Sequence, residues 1–198
     1  MSNRTWIPSV EVETNAGIRE VALDTKHFMN RKIFITGTID SDSMNQAVSQ
    51  IMYLAGEGKE PIDIYINSGG GEVNAGLMLY DVIQGLDIPI NMYCMGMAAS
   101  MAAVLLAGGQ KGRRFILPHS KTMIHEPLIN GGVGGSATSI RNISENILNT
   151  KAMLNGILAK HTGKTLEEID EATAYDHYMT AEESVEFGLC DAIVEKIA

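Results

Sequence analysis

Between Lys32 and Ala107, short apolar runs alternate with helix-length amphipathic stretches, and this alternation leaves few folds open. Lys32-Ile33-Phe34-Ile35-Thr36-Gly37 reads as a strand, followed by a helix opened by Ser41 or Asp42 and running to about Ala55. Ile62-Asp63-Ile64-Tyr65-Ile66 sets apolar side chains at alternate positions, the period of a strand. After a predicted turn at Gly69-Gly70-Gly71, Val73, Leu77, Tyr80 and Ile83-Gln84 mark another helix. Ile88 to Met95 is the next strand, and Ala98 to Ala107 a buried helix. Parallel strands need crossovers of this kind, so the expectation is an α/β fold of repeated β-α-β units.

Downstream the elements shorten. Arg114-Phe115-Ile116-Leu117 and Thr122-Met123-Ile124-His125 read as short strands, and a glycine-rich loop spans Asn130 to Gly135. Ile140, Ile143, Ile147, Leu154 and Leu158 trace the stripe of a long amphipathic helix, closed near His161 with Gly163 beyond. Periodicity allows this stripe to meet the core or another subunit, the core being the ordinary outcome. Thr165-Leu166-Glu167-Glu168 and Thr180-Ala181-Glu182-Glu183 each match a capping box and open two short helices.

Composition narrows the function. A chain of 198 residues is read as one domain with a core of its own. A net charge of −9, with no basic cluster longer than Lys111-Gly112-Arg113-Arg114, argues against a nucleic-acid surface. Cys94 and Cys190 form no metal or disulfide pattern and suit reduced thiols in the cytoplasm. Met1 to Trp6 lacks the apolar core of a secretory signal. Met95 to Ala107 is too short to span a bilayer, so no membrane insertion is expected.

The chemistry gathers around Gly96-Met97-Ala98-Ala99-Ser100-Met101-Ala102-Ala103. The helix expected there puts Ser100 in its first turn, where free N–H groups favour developing negative charge. Small neighbours let another backbone approach, and a hydroxyl so placed can be a nucleophile; it can equally be a plain helix cap. Acyl transfer also needs a base, a group that orients it, and donors for the oxyanion.

Five histidines compete for the base: His27, His119, His125, His161 and His177. His125 is best placed, at the end of a strand and before Glu126-Pro127, although a core histidine bonded to a carbonyl would look the same. Spacing does not choose among Asp63, Asp81, Asp170, Asp176 and Asp191 for the acid. Asp176 lies in the break between two helices, where a side chain can turn inward. The glycine turn offers the N–H groups of Gly70 and Gly71, joined by that of Met101. A phosphate loop is the rival reading, but the lysine and hydroxyl that it needs are missing.

These residues carry a resemblance. From about Ile7 to its end the chain resembles the ClpP-like serine proteases, the proteolytic subunits of the ATP-dependent Clp protease. The matching motifs are Tyr65-Ile66-Asn67-Ser68 with its glycines, Gly96 to Met101, and Met123-Ile124-His125-Glu126-Pro127-Leu128. His161-Thr162-Gly163, Asp176-His177-Tyr178-Met179-Thr180-Ala181 and Glu186-Phe187-Gly188-Leu189 follow in the same order.

The resemblance implies Ser100 as nucleophile, His125 as base and Asp176 as orienting acid, with Gly71 and Met101 as oxyanion donors and Gly70 beside them. It implies a crotonase-type α/β fold in a single domain over residues 1–198. Within it, 1–25 is an axial segment, 26–128 and 163–198 a head, and 129–162 a handle whose protruding long helix joins two stacked seven-membered rings. It further implies an AAA+ unfoldase hexamer that uses the ATP, no cofactor in this subunit, unfolded polypeptides as substrates, and Tyr65 and Tyr93 in the docking groove.

Departures from the pattern bear on these expectations. Gly69 stands where the family usually has proline, Glu72 where it has an apolar residue, and Glu126 where it has glutamine. Ala174 and Tyr175 replace an acid–arginine pair that links ring contacts to the active state. Asp63 and Gly85 replace groove residues that are commonly aromatic, and the loop Ile129 to Ser136 is longer and richer in glycine. Ala174, Tyr175 and Glu126 motivate one alternative, a regulatory or structural paralogue active only beside a sibling ring; a similar glycine-based oxyanion hole on the same fold motivates another, a crotonase-type acyl-CoA enzyme.

Overall fold

The computed structural model describes residues 8–15, 17–129 and 131–197. Strands β3 (Lys32–Ile39), β4 (Ile62–Gly71) and β5 (Ile90–Ala99) lie side by side, all parallel, joined by the crossover helices α2 (Ser41–Glu57) and α3 (Val73–Gln84). Beyond β5 the sheet continues through β6 (Arg114–Ile116) to β9 (Ala192–Ile193), also parallel. Helix α4 (Met101–Ala107) follows β5 directly. All seven of its residues are buried, as expected of a helix apolar on every side.

The core is built where the strand and helix periods coincide. Ile62, Ile64 and Ile66 turn to one face of β4 and are fully buried, as are Ile90, Met92 and Cys94 on β5. Ile51 from α2 and Leu79 from α3 cover them, and each such side chain contributes about 1.5–3 kcal/mol. Helix α2 starts where Asp40 accepts from the Ser43 N–H while Ser43 Oγ accepts from the Asp40 N–H. The opposite sheet face carries an aromatic ladder, Phe34, Tyr65, Tyr93 and Phe115, on neighbouring strands in register. Successive rings stack 5.1 Å apart.

Arg114, 3% exposed, ties the C-terminal half together. It pairs with Asp191 at 2.6 Å and donates to the carbonyls of Ala107, His161 and Gly188. These carbonyls lie at the C-terminal ends of α4, α5 (Ala137–Thr162) and α7 (Ala181–Phe187), where helices leave acceptors unpaired. Burial alone would raise the Asp191 carboxyl; the bonds from Arg114 and the Gly112 N–H outweigh it and hold the group below its ordinary value.

Several elements differ from the sequence reading. Gly69 to Gly71 is no turn: β4 runs through it, with Gly70 and Gly71 paired to Thr38 and Ile39 after a bulge. A Cβ on Gly71 would collide with the Ile39 carbonyl, so only glycine lets β3 and β4 close there. Strand β5 begins later and ends later than expected, at Ala99, which moves Ser100 out of the helix. Strands β1 (Ser9–Thr14) and β2 (Gly17–Ala22) pair antiparallel, and β2 leads into α1 (Leu23–Met29). The sequence analysis did not anticipate this pair, and its reading of Met1 to Trp6 lies outside the described residues.

The stripe of α5 does not reach the core as a whole. Leu154, Asn155 and Leu158 are buried, but Ile140 and Ile143 towards the start of the helix stand exposed. Both expected capping boxes are present, opening α6 (Leu166–Thr173) and α7, and Gly163 ends α5 in the left-handed conformation.

Candidate active site

The sheet splits inside β5. Gly96 (φ 88°) bends the strand: its first half pairs with β6, its second half with β7 (Lys121–Ile124). Strand β7 then takes an antiparallel partner, β8 (His177–Met179). The split brings four chain segments to one point at the C-terminal end of the parallel strands, where open α/β sheets hold their ligands. Those segments are the end of β5, the glycines of β4, the residues after β7 and the residues before β8.

Ser100 sits at the junction of β5 and α4 with φ 54° and ψ −125°, a left-handed conformation that side chains rarely take. Its N–H donates to the Met123 carbonyl on β7 at 2.8 Å. Its carbonyl accepts from Ala103 and Val104 as the helix begins. A sharp strand-to-helix turn of this kind lifts a serine hydroxyl clear of the backbone. The expected helix start at Ala98 is therefore corrected by three residues: Met101 opens the helix, Ser100 stands just before it, and the Met101 N–H is among those without a helical acceptor.

Gly70 lies against this junction. A Cβ there would come within 2.7 Å of both Ser100 Cβ and the Ala99 carbonyl. Its own N–H is taken by Ser68 Oγ at 3.0 Å, and Ser68 in turn donates to the Gly37 carbonyl. Gly70 thus makes room, while Gly71 and Met101 border the same cavity.

His125 follows β7 directly, and its Nε2 stands 2.8 Å from Ser100 Oγ. Its Nδ1 is 3.2 Å from Asp176 Oδ1. The two are close but not aligned for a hydrogen bond, and Nδ1 has no other partner. The imidazole is largely buried, at 15% side-chain exposure, whereas the Asp176 carboxylate is 58% exposed. Pairing of Ile124 with His177 sets Asp176 beside His125, and the Glu126 N–H donates to the Thr173 carbonyl, pinning the acid's loop at its other end.

The remaining candidates have other partners. His161 is hydrogen-bonded to Tyr80 Oη at 2.9 Å; burial first, then nearby Lys160 and Arg114, push its pKa down. His27 packs on Phe34 and His177 on Phe187, edge to face, and His119 lies exposed in a turn. Asp63 accepts from Asn91, Asp191 from Arg114, and Asp81 is exposed. Cys94 and Cys190 are buried without a disulfide; burial pushes the Cys94 thiol up to about 12 and raises Cys190 too, so neither is placed as a reactive thiol.

Ser100 and His125 face a cavity of about 270 Å³ whose floor is Val104, Leu154 and Leu158. A larger one, about 470 Å³, opens between α1, α2 and β3, but its His27 meets an aromatic ring rather than a hydroxyl. Among the described residues no group of three or more His, Cys, Asp or Glu side chains could hold a metal ion. Nor is any helix among them long and apolar enough to cross a membrane.

One cluster went unread in the sequence. Lys151 of α5 pairs with Glu126 at 3.0 Å and with Asp170 of α6 at 2.9 Å. Asn155 also donates to Asp170. The ammonium joins the residue after His125 to the helix that leads to Asp176, and hydrogen bonds to both carboxylates raise its pKa. Nothing local in the sequence marks it, because its members are brought together only by the fold.

An α/β crossover fold thus holds a serine at positive φ within hydrogen-bond distance of a histidine, a geometry that suits a hydroxyl nucleophile and its base. A family model of the Clp proteases matches residues 16–197, and the chain belongs to that family. It is therefore a ClpP-type serine peptidase.

Proposed function

We propose that the chain is the serine endopeptidase subunit of a compartmentalised, ATP-dependent protease that degrades unfolded polypeptides. Its nucleophile is Ser100, its base His125 and its orienting acid Asp176. The single observation that carries this reading is the 2.8 Å contact between His125 Nε2 and the hydroxyl of a serine held at positive φ.

In this mechanism Ser100 Oγ attacks the peptide carbonyl as His125 Nε2 takes its proton. Asp176 favours the tautomer with hydrogen on Nδ1 and stabilises the imidazolium. The N–H groups of Gly71 and Met101 receive the oxyanion; losing one such donor costs about 2.7–4 kcal/mol. His125 returns the proton to the leaving amine, and a water attacks the acyl-serine by the same route. An extended substrate lies as an added strand along the glycines of β4, so backbone pairing rather than side chains governs most of its binding.

Assembly belongs to the same reading. The bare Ile140 of α5 finds cover against the facing ring of a tetradecamer, and the aromatic ladder around Tyr65 and Tyr93 receives an AAA+ unfoldase. The reading includes no cofactor in this subunit and a cytoplasmic setting. Ser100→Ala is expected to abolish cleavage of a fluorogenic peptide while the assembly keeps its size in gel filtration. Undiminished turnover in that variant would refute the assignment.

A second reading has one observation in its favour. Asp176 is exposed and out of line with Nδ1, and Ala174 and Tyr175 precede it. Such a triad suits a subunit that becomes active only beside a sibling ring. Cleavage of a short peptide by the purified homomeric protein rules this out.

A further inference from the structure

A groove beside the catalytic cavity carries a charge that the serine chemistry does not use. It encloses about 440 Å³ and shares Val73, Pro127 and Leu128 with the catalytic cavity. Ile143 and Ile147 of α5 form its far wall. Glu72, at its rim, is the one ionisable side chain among the described residues that line it.

Glu72 keeps acceptor capacity for a ligand. It precedes α3, yet its side chain caps none of that helix's N–H groups. It is exposed, and Oε2 accepts a single hydrogen bond from Ser41 Oγ at 3.0 Å. The ion pairs among the described residues leave it out. Since Glu72 follows Gly71 directly, a polypeptide laid along the glycines of β4 runs next to this carboxylate.

We propose that the groove is a substrate subsite for a Lys or Arg side chain. The aliphatic stem lies along Val73, Leu128, Ile143 and Ile147, and the cationic head meets Glu72, as long basic side chains do on apolar surfaces edged by charge. This inference rests on reading Ser100 as a nucleophile toward polypeptide and adds a preference that backbone pairing alone does not give. An exposed ion pair of this kind is weak, so the preference is roughly two- to fivefold.

The test uses internally quenched peptides with Lys, norleucine or Glu placed in turn at positions flanking a fixed cleaved bond. The assembled wild-type protein is expected to show a higher kcat/KM for Lys than for norleucine at one position, with the ratio shrinking in high salt. In Glu72→Gln the ratio falls to one, and in Glu72→Lys the Glu peptide becomes the better substrate. Each ratio is taken within one protein, so a general loss of activity does not move it. A ratio of one at every position in wild type overturns the subsite, and is also what a second copy covering the groove produces. A Lys preference that survives Glu72→Gln overturns it too. If no peptide is cleaved at all, the catalytic reading fails instead. Fluorescence anisotropy of the same peptides on the Ser100→Ala protein then decides the subsite, which stands only if Lys binds more tightly than norleucine and Glu72→Gln removes the difference.

Discussion

The two halves of the proposed catalytic arrangement are held in opposite ways. Ser100 and His125 end strands of the central sheet, and the helix after Ser100 is buried along its whole length. Asp176 lies at the margin, 58% exposed, in a loop whose position depends on a backbone bond to Thr173, the short strand β8 and the Lys151 bridge. Main-chain hydrogen bonds inside a packed sheet set Ser100, while contacts at the rim set Asp176. The first half is built into the fold; the second can be adjusted by neighbours.

The sharpest way to break this contrast is to remove the acid's charge. Asp176→Asn is expected to lower kcat on a peptide by about 10²–10³, less than the roughly 10⁴ lost with a buried acid, because water already shares its place. Lys151→Met probes the tether rather than the acid and is expected to cost about tenfold in kcat with KM within twofold, as a 1 Å misplacement is felt in chemistry before binding. Lys151→Arg should restore most of that loss. An Asp176→Asn protein as active as wild type, or a Lys151→Met protein whose loss lies in KM, breaks the comparison.

The smallest effect is on stability and concerns the contacts of His161 and Asp191 around Arg114. The folded state holds His161 below its ordinary value of 6.5, so it binds fewer protons than the unfolded chain in the window just beneath that pH. Its contribution is whole above pH 6.5 and is lost as pH falls through the folded value. Asp191, held below 3.8, gives a second loss at lower pH. Melting temperature should therefore be level above pH 7 and decline below 6.5, with a shallower first decline in His161→Gln. An identical profile in that variant removes the assignment.

What was legible in the sequence follows the same division. The crossovers α2 and α3, the capping boxes at Thr165 and Thr180 and the end of α5 at Gly163 were readable, because each is dictated by its own side chains. The strand end and the helix start around Ser100 were misread by four and three residues, because Gly96 to Ala103 is mostly small and shows no period that separates strand from helix. Gly69 to Gly71 passed for a turn because glycine signals turns; here it permits the close approach of β3, a demand made by another strand. Lys151 could not be found, since its partners Glu126 and Asp170 lie on either side of it in the chain and meet only through tertiary packing. The resemblance, by contrast, named Ser100, His125 and Asp176, and the fold brings those three together.

The central claim is that the His125 contact turns Ser100 into a nucleophile. Treating the assembled wild-type protein with a fluorophosphonate probe and locating the label by mass spectrometry tests it most directly. The account predicts label on Ser100, and its loss in His125→Ala protein that still assembles. An unlabelled wild type, label on a different serine, or Ser100 labelled as fast without His125 would contradict it.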